Sequence, residues 1–200
     1  MYPLFESVCI ENSQIKNAAY HEARFNRSYI LQYKTHPTYT LFDGIHLTNL
    51  DDNLKYKLRI GYKQNGTRFS FSEYENSIPT SLKVVNDDTI SYALKKNNRK
   101  KLNALFLKRE EADDVLIIKN GLVTDASYSN ILFFDGKQIV TPSTPLLEGT
   151  CRARLLAINR IVEKSISVDE LQNFESFQLI NALNDFDESR WIPIQNIKKD

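Results

Sequence analysis

The sequence predicts a mixed α/β (α+β) protein of two domains, a small N-terminal α/β domain over residues 1–78 and a second domain over residues 79–200. Three observations lead there. Apolar residues alternate along several short segments, as half-buried strands require, and recur at helical spacing in others. A polar, proline-bearing stretch from Asn76 to Thr80 interrupts both patterns and reads as an interdomain connection. Finally, 200 residues, 42% of them hydrophobic and with only 6 Gly and 6 Pro, can bury a core without disulfides or a structural metal.

The elements follow in order. Phe5 to Ile10 reads as a strand, the polar segment Glu11 to Lys16 as a turn and return, and Tyr20 to Tyr33 as a helix with a mixed face. His36-Pro37 closes that helix, because a residue before proline is pushed out of the α region. After a loop marked by Asp43-Gly44, Lys55 to Tyr62 and Arg68 to Tyr74 alternate as two strands joined by an Asn65-Gly66 turn. In the second domain, Leu102, Leu105 and Phe106 support an amphipathic helix between Leu94 and Lys108. Val115 to Ile118, Leu122 to Thr124, and Ile131 to Phe134 running on to Gln138 to Thr141 read as a three-strand meander, with tight turns at Asn120-Gly121 and Asp135-Gly136. A helix starts near Gly149, and Ser167-x-x-Glu170 is a capping-box pattern opening another.

Composition narrows the function. Lys plus Arg number 26 against 25 Asp plus Glu, and a balance of +1 argues against a dedicated nucleic-acid binder. Two cysteines, Cys9 and Cys151, form no disulfide framework, which suits a reducing compartment. No apolar run reaches the ~18 residues of a membrane span. The start, MYPLFESVCIENS, lacks a signal-peptide pattern. The expectation is a soluble cytoplasmic protein. His21, His36 and His46 show no ligand spacing, so no metal is expected. There is no G-x-S-x-G elbow, no Walker loop and no G-x-G-x-x-G.

Three places could carry chemistry. The basic run Lys95, Lys96, Arg99, Lys100, Lys101 reads most simply as a solvated helix face, yet a lysine held among other cations loses its proton more readily and can form Schiff bases. Thr124 to Asn130 is a dense polar run between apolar strands, either an ordinary loop or polar groups brought into a sheet for a reason. Leu147-Glu148-Gly149-Thr150-Cys151-Arg152 places small residues at a helix start, a plain helix entrance or a seat for phosphate on exposed amides.

In order and spacing these segments resemble the class IV aminotransferase family, the fold-type IV enzymes that use pyridoxal phosphate. The family pattern V-T-E-G-S-x-S-N-[IVL]-F, D-G-x-x-x-T-P, L-x-G-[IV]-[TM]-R stands here as VTDASYSNILFF, DGKQIVTP and LLEGTCR. Lys95-Lys96-Asn97-Asn98-Arg99 is similar to K-x-x-N-R, and His21-Glu22-Ala23-Arg24-Phe25 to H-x-x-R-[LF]. The resemblance implies a D-amino acid aminotransferase-like fold with a barrel-like C-terminal β core, the cofactor in the crevice between the domains, and a homodimer. It makes Lys95 the Schiff-base lysine and proton carrier, and sets Arg24, Thr150, Cys151 and Asn181 on the cofactor phosphate side. Asp125 falls where the family has a glutamate facing the pyridine nitrogen, Ala126 where it has glycine, and the usual first strand-and-turn segment before Phe5 is missing. Arg59, Tyr128 and Arg152 are candidates for binding a substrate carboxylate.

Three activities compete within the family: 4-amino-4-deoxychorismate lyase, branched-chain aminotransferase and D-amino acid aminotransferase. Asn98-Arg99 and Asn181-Ala182-Leu183 look more like the lyase, which would convert aminodeoxychorismate to 4-aminobenzoate and pyruvate in folate biosynthesis. A non-catalytic binding module is the alternative from another class.

Overall fold

A computed structural model describes residues 2–48 and 50–199. The chain divides into two compact units. The first comprises residues 2–76 together with Leu94–Asn98, and the second Ser77–Ala93 with residues 99–199. The division differs from the expected 78/79 boundary in two respects: the first crossing falls at 76/77, and the Lys95 segment, bracketed on both sides by the second unit, belongs to the first.

The first unit is a four-stranded antiparallel sheet in the order β2-β1-β3-β4. Its strands are β1 (Leu4–Glu11), β2 (Gln14–Ile15), β3 (Tyr56–Lys63) and β4 (Gly66–Glu73). Helix α1 (Ala18–Tyr33) buries His21, Arg24, Phe25, Ser28 and Tyr29, a stripe at i, i+3, i+4, i+7, i+8. This stripe packs on one face of the sheet, where Leu4, Val8 and Ile10 of β1 meet Leu58, Ile60 and Tyr62 of β3. The even positions of both strands share that face, as the two-residue period demands. Two expectations shift here. The helix ends at Lys34, left-handed at φ 60°, three residues before Pro37. The hairpin pairs Lys63 with Gly66, so its two loop residues are Gln64 and Asn65 rather than Asn65 and Gly66.

The second unit is built as helix, sheet, sheet, helix. One sheet has the order β13-β5-β6-β7 and the other β10-β9-β8-β11-β12. The first contains β5 (Leu82–Asn86), β6 (Asp114–Lys119), β7 (Leu122–Ala126) and β13 (Ile197–Lys198). The other contains β8 (Asn130–Phe134), β9 (Ile139–Pro142), β10 (Val162–Lys164), β11 (Ser176–Ile180) and β12 (Ile192–Pro193). Leu116, Ile118 and Val123 face Ile131, Phe133, Phe177 and Leu179 across the core between the sheets. Val115 and Ile117 turn the other way, onto Leu102 and Leu105 of α2 (Lys100–Phe106). Leu132 and Ile180 likewise meet Cys151 and Leu155 of α3 (Thr150–Ala157). Burial on both faces is why β6 reads as an unbroken apolar run. The barrel-like core is thus formed by two facing sheets.

Three further differences from expectation bear on the site. The meander is four strands split between sheets, because the chain leaves one sheet at Ala126 and enters the other at Asn130. The polar run lies on this crossing. The Leu94–Lys108 segment is helical only from Lys100, followed by a 3₁₀ turn at Leu107–Arg109. Residues before it are extended, with Phe5 N–H donating to Lys95 O at 3.1 Å and Asn97 N–H to Pro3 O at 2.9 Å. Finally, the Ser167/Glu170 capping box forms, but it opens a 3₁₀ helix over Val168–Asn173.

Candidate functional site

Each unit carries a cluster of buried or half-buried polar groups.

In the first unit the key position is Glu6. It sits on the face of β1 that points to α1, between Leu4 and Val8, and is fully buried. A carboxylate there must be paired. Arg24 Nε donates to its Oε1 at 2.9 Å and Arg24 Nη2 to its Oε2, while His21 Nδ1 lies 2.7 Å from Oε2. Burial alone would raise the Glu6 pKa, but the Arg24 guanidinium and the His21 hydrogen bond hold it down at about 2. Burial also lowers the His21 pKa, so at neutral pH the ring is uncharged, with its Nδ1 proton directed at the carboxylate. Arg24 is therefore a buried, side-on clamped guanidinium.

Lys95 is half-buried, its Nζ 5.0 Å from the centroid of the Phe5 ring. Arg59 lies over the same ring at 3.8 Å and donates to Asn97 Oδ1. Phe5 alternates with Leu4 and Glu6 along β1, so Lys95 and Arg59 meet the side of the strand opposite the Glu6–Arg24 pair. The structure thus groups Lys95 with Arg59, and Arg24 with Glu6 and His21.

In the second unit Asp125, near the end of β7, is 5% exposed. Asn130 Nδ2 donates to Oδ1 at 2.8 Å and the Leu147 amide to Oδ2 at 3.0 Å. Burial pushes its pKa up to about 6 against the pull of those two donors. Helix α3 begins just beyond, capped by Gly149 in an extended conformation with no side-chain cap bond. A Cβ added at Gly149 would fall on Asn130 Oδ1, and 3.1 Å from its Cγ. That collision, rather than a turn, explains the glycine. Gly149→Ala is expected to cost about 1–3 kcal/mol of stability by overpacking and to displace Asn130 from Asp125, measured by urea unfolding and by the Asp125 NMR resonance.

The remaining expected residues divide. Thr150 is buried at the start of α3. The Cys151 thiol donates to Asp185 Oδ1 at 3.1 Å, and burial pushes its pKa to about 12, so it stays protonated. The Asn181 side chain organises its own loop, accepting from the Leu183 and Asn184 amides at 2.8 and 2.9 Å and donating to Ser129 Oγ at 3.0 Å. Tyr128 is 59% exposed and packs its ring on the Arg99 guanidinium at 4.2 Å. Arg152 is turned inward, donating to Pro142 O at 2.9 Å and Glu163 Oε1 at 2.5 Å. With its fork held by β9 and β10, Arg152 braces those strands.

Glu6 and Asn130 were not among the expected site residues. For Glu6 the signal was present, since a strand over Phe5 to Ile10 puts it on one face with Val8 and Ile10, a charge on an apolar face. For Asn130 the sequence offered only its membership in the polar run.

The fold is that of the fold-type IV aminotransferases. The chain belongs to the class IV aminotransferase family: residues 96–197 match the model described as amino-transferase class IV. An uncharacterized protein of Haemophilus influenzae is 40% identical over 186 residues, covering 92% of this chain and 99% of the relative. The crystal structure of a Haemophilus somnus 129PT protein, provisionally assigned as a 4-amino-4-deoxychorismate lyase, is 34% identical with a TM-score of 0.88, covering 93% of this chain and 98% of that one. A hypothetical aminotransferase of Mycobacterium tuberculosis, in its pyridoxal-phosphate-bound form, shares the fold at 13% identity and a TM-score of 0.73, over 98% of this chain and 81% of that one. Among the described residues no helix is long and apolar enough to cross a membrane.

Proposed function

We propose that the protein is a pyridoxal-phosphate-dependent lyase that converts 4-amino-4-deoxychorismate to 4-aminobenzoate and pyruvate. The observation that carries this reading is the likeness to the H. somnus protein over nearly the whole of both chains, joined to a donor set that fits the cofactor chemically. The phosphate calls for a guanidinium and helix-terminal amides, which Arg24 and the start of α3, where Gly149 gives no side-chain cap, provide. A pyridine nitrogen calls for an acid, and Asp125 is one held in place by two donors. An aldehyde calls for a primary amine, and Lys95 is one, half-buried over the Phe5 ring.

When bound, pyridoxal phosphate supplies an electron sink. The chain's residues do the rest. Arg24 and the Thr150 and Cys151 amides at the start of α3 are the groups that would hold its phosphate. Asp125 would keep a proton on its ring nitrogen. Lys95 Nζ removes the proton from the amine-bearing carbon of the substrate. The bond from the ring carbon to the enolpyruvyl oxygen breaks, that group takes up a proton and leaves as pyruvate, and the electrons of the broken C–H bond complete the aromatic ring. Aromatisation makes the step effectively one-way.

The test supplies aminodeoxychorismate and, separately, a panel of D- and L-amino acids with 2-oxoglutarate. Formation of 4-aminobenzoate and pyruvate in equal amounts is expected. Consumption of amino acids alone would assign an aminotransferase. Borohydride treatment of the yellow protein should fix the cofactor on a peptide containing Lys95, and a colourless, unlabelled protein would point to a non-catalytic module.

A further inference from the structure

Asn130 opens β8 at the point where the chain passes from one sheet to the other, and it is 6% exposed. Its side-chain amide spends both hydrogens on two groups: Nδ2 donates to Asp125 Oδ1 at 2.8 Å and to Leu147 O at 2.9 Å. The Leu147 amide donates in turn to Asp125 Oδ2 at 3.0 Å. A carboxylate, a carboxamide and the backbone N–H and C=O of one residue, Leu147, therefore close a hydrogen-bonded ring. The ring ties together the end of β7, the start of β8 and the segment leading into α3. On its far side Asn130 Oδ1 lies against Gly149, where no side chain fits.

Such a ring has a specific effect on an aspartate. The terminal torsion of Asp is broad and roughly two-fold, so the carboxylate plane is soft unless both oxygens are held. Here each oxygen has its own donor. A carboxylate offers about four acceptor positions, so these donors fix its plane without exhausting it. A neutral donor also orients the group without cancelling its charge, as a lysine or arginine would. Arg152 of α3 is the charged group whose field reaches Asp125, and its guanidinium is engaged elsewhere, on Pro142 and Glu163.

We infer that Asn130 is a positioning residue that sets the plane and reach of the Asp125 carboxylate toward the ring nitrogen of the cofactor. The inference rests on the proposed pyridoxal-phosphate reading and deepens it. The side chain acts through Asp125, compensating for an aspartate one methylene shorter than the glutamate usual in the family.

The test begins in the apoprotein, where no cofactor chemistry intervenes. The Asp125 carboxyl is titrated by ¹³C NMR in the natural protein and in Asn130→Ala. Loss of a donor to the charged form should move the Asp125 titration upward by about one unit. Should Asn130→Ala fail to fold, Asn130→Ser, which keeps one donor on a smaller side chain, should give a smaller upward shift. In the loaded protein Asn130→Ala should lower kcat about tenfold or more with little change in KM, and adding Asn130→Ala to Asp125→Ala should cost nothing further. An unmoved Asp125 titration overturns the inference, and so do losses that simply add in the double variant. A natural protein that takes up no pyridoxal phosphate would defeat the functional reading instead, while the apoprotein titration would still decide whether Asn130 orients Asp125.

Discussion

Lys95→Ala is expected to lower turnover by roughly 10²–10⁴-fold, the range spanned by a general acid or base positioned at a reacting carbon. The protein should remain folded, within about 1 kcal/mol of the natural stability. The expectation of a native fold comes from how this segment is held. Its strand-like pairing with β1 runs through main-chain groups, Phe5 N–H to Lys95 O and Asn97 N–H to Pro3 O, and these survive the substitution. The side chain itself lies half-buried over the Phe5 ring. Single-turnover kinetics with the proposed substrate, paired with urea unfolding, separate the two effects. A variant retaining more than about a tenth of natural turnover would remove Lys95 from the chemistry.

Glu6→Ala should produce the largest loss of stability, about 3–5 kcal/mol, because it strands a buried guanidinium. Arg24 is 5% exposed and gives Glu6 two donors, and His21 is fully buried against the same carboxylate. The pH dependence follows from the same pairing. The folded Glu6 pKa of about 2 lies below the ordinary 4.5. Its stabilisation is therefore complete above about pH 4.5 and is lost as the pH falls toward 2, amounting to roughly 3 kcal/mol. His21, whose pKa is also lowered, adds a loss in the same direction as acid begins to protonate the unfolded ring below about 6.5. Denaturant unfolding of the natural protein and Glu6→Ala, compared at pH 7 and pH 3, should show the gap between them narrowing in acid. A gap that stays constant would mean that Glu6 is not the ionised partner of Arg24.

Much of this fold was legible where local pattern and global packing agree. The alternation from Phe5 to Ile10, the stripe along α1 and the Ser167/Glu170 box all carry their reasons within a few residues. The helix start at Gly149 was legible for another reason, the family motif that surrounds it. What escaped was set by distant partners. Leu82–Asn86 is a short parallel strand whose neighbours, β6 and β13, lie some thirty and more than a hundred residues away. The Lys95 segment is extended because Pro3 and Phe5 bond to it, although its basic residues suggest a helix face. The break in the meander was hidden as well, since strands adjacent in sequence usually pair, while here the pairing of Asn130–Phe134 with Ser176–Ile180 takes β8 into the other sheet. At the site, the residues with named roles came from motif, but the groups that hold them, Glu6 for Arg24 and Asn130 for Asp125, emerged only from packing.

The return of Leu94–Asn98 to the first unit has a consequence for dissecting the molecule. The polypeptide crosses between the units at residues 76/77, 93/94 and 98/99, so neither unit is a contiguous stretch of gene. A fragment ending at Asn76 would leave the exposed margin of β1 beside Pro3 and Phe5 without its native complement, and would be prone to pairing with a foreign strand. A fragment beginning at Ser77 would carry Lys95 on a loop deprived of the backbone that shapes it. Halves expressed from separate plasmids should each be poorly behaved, and only a split that keeps this five-residue loan intact offers a route to studying either alone.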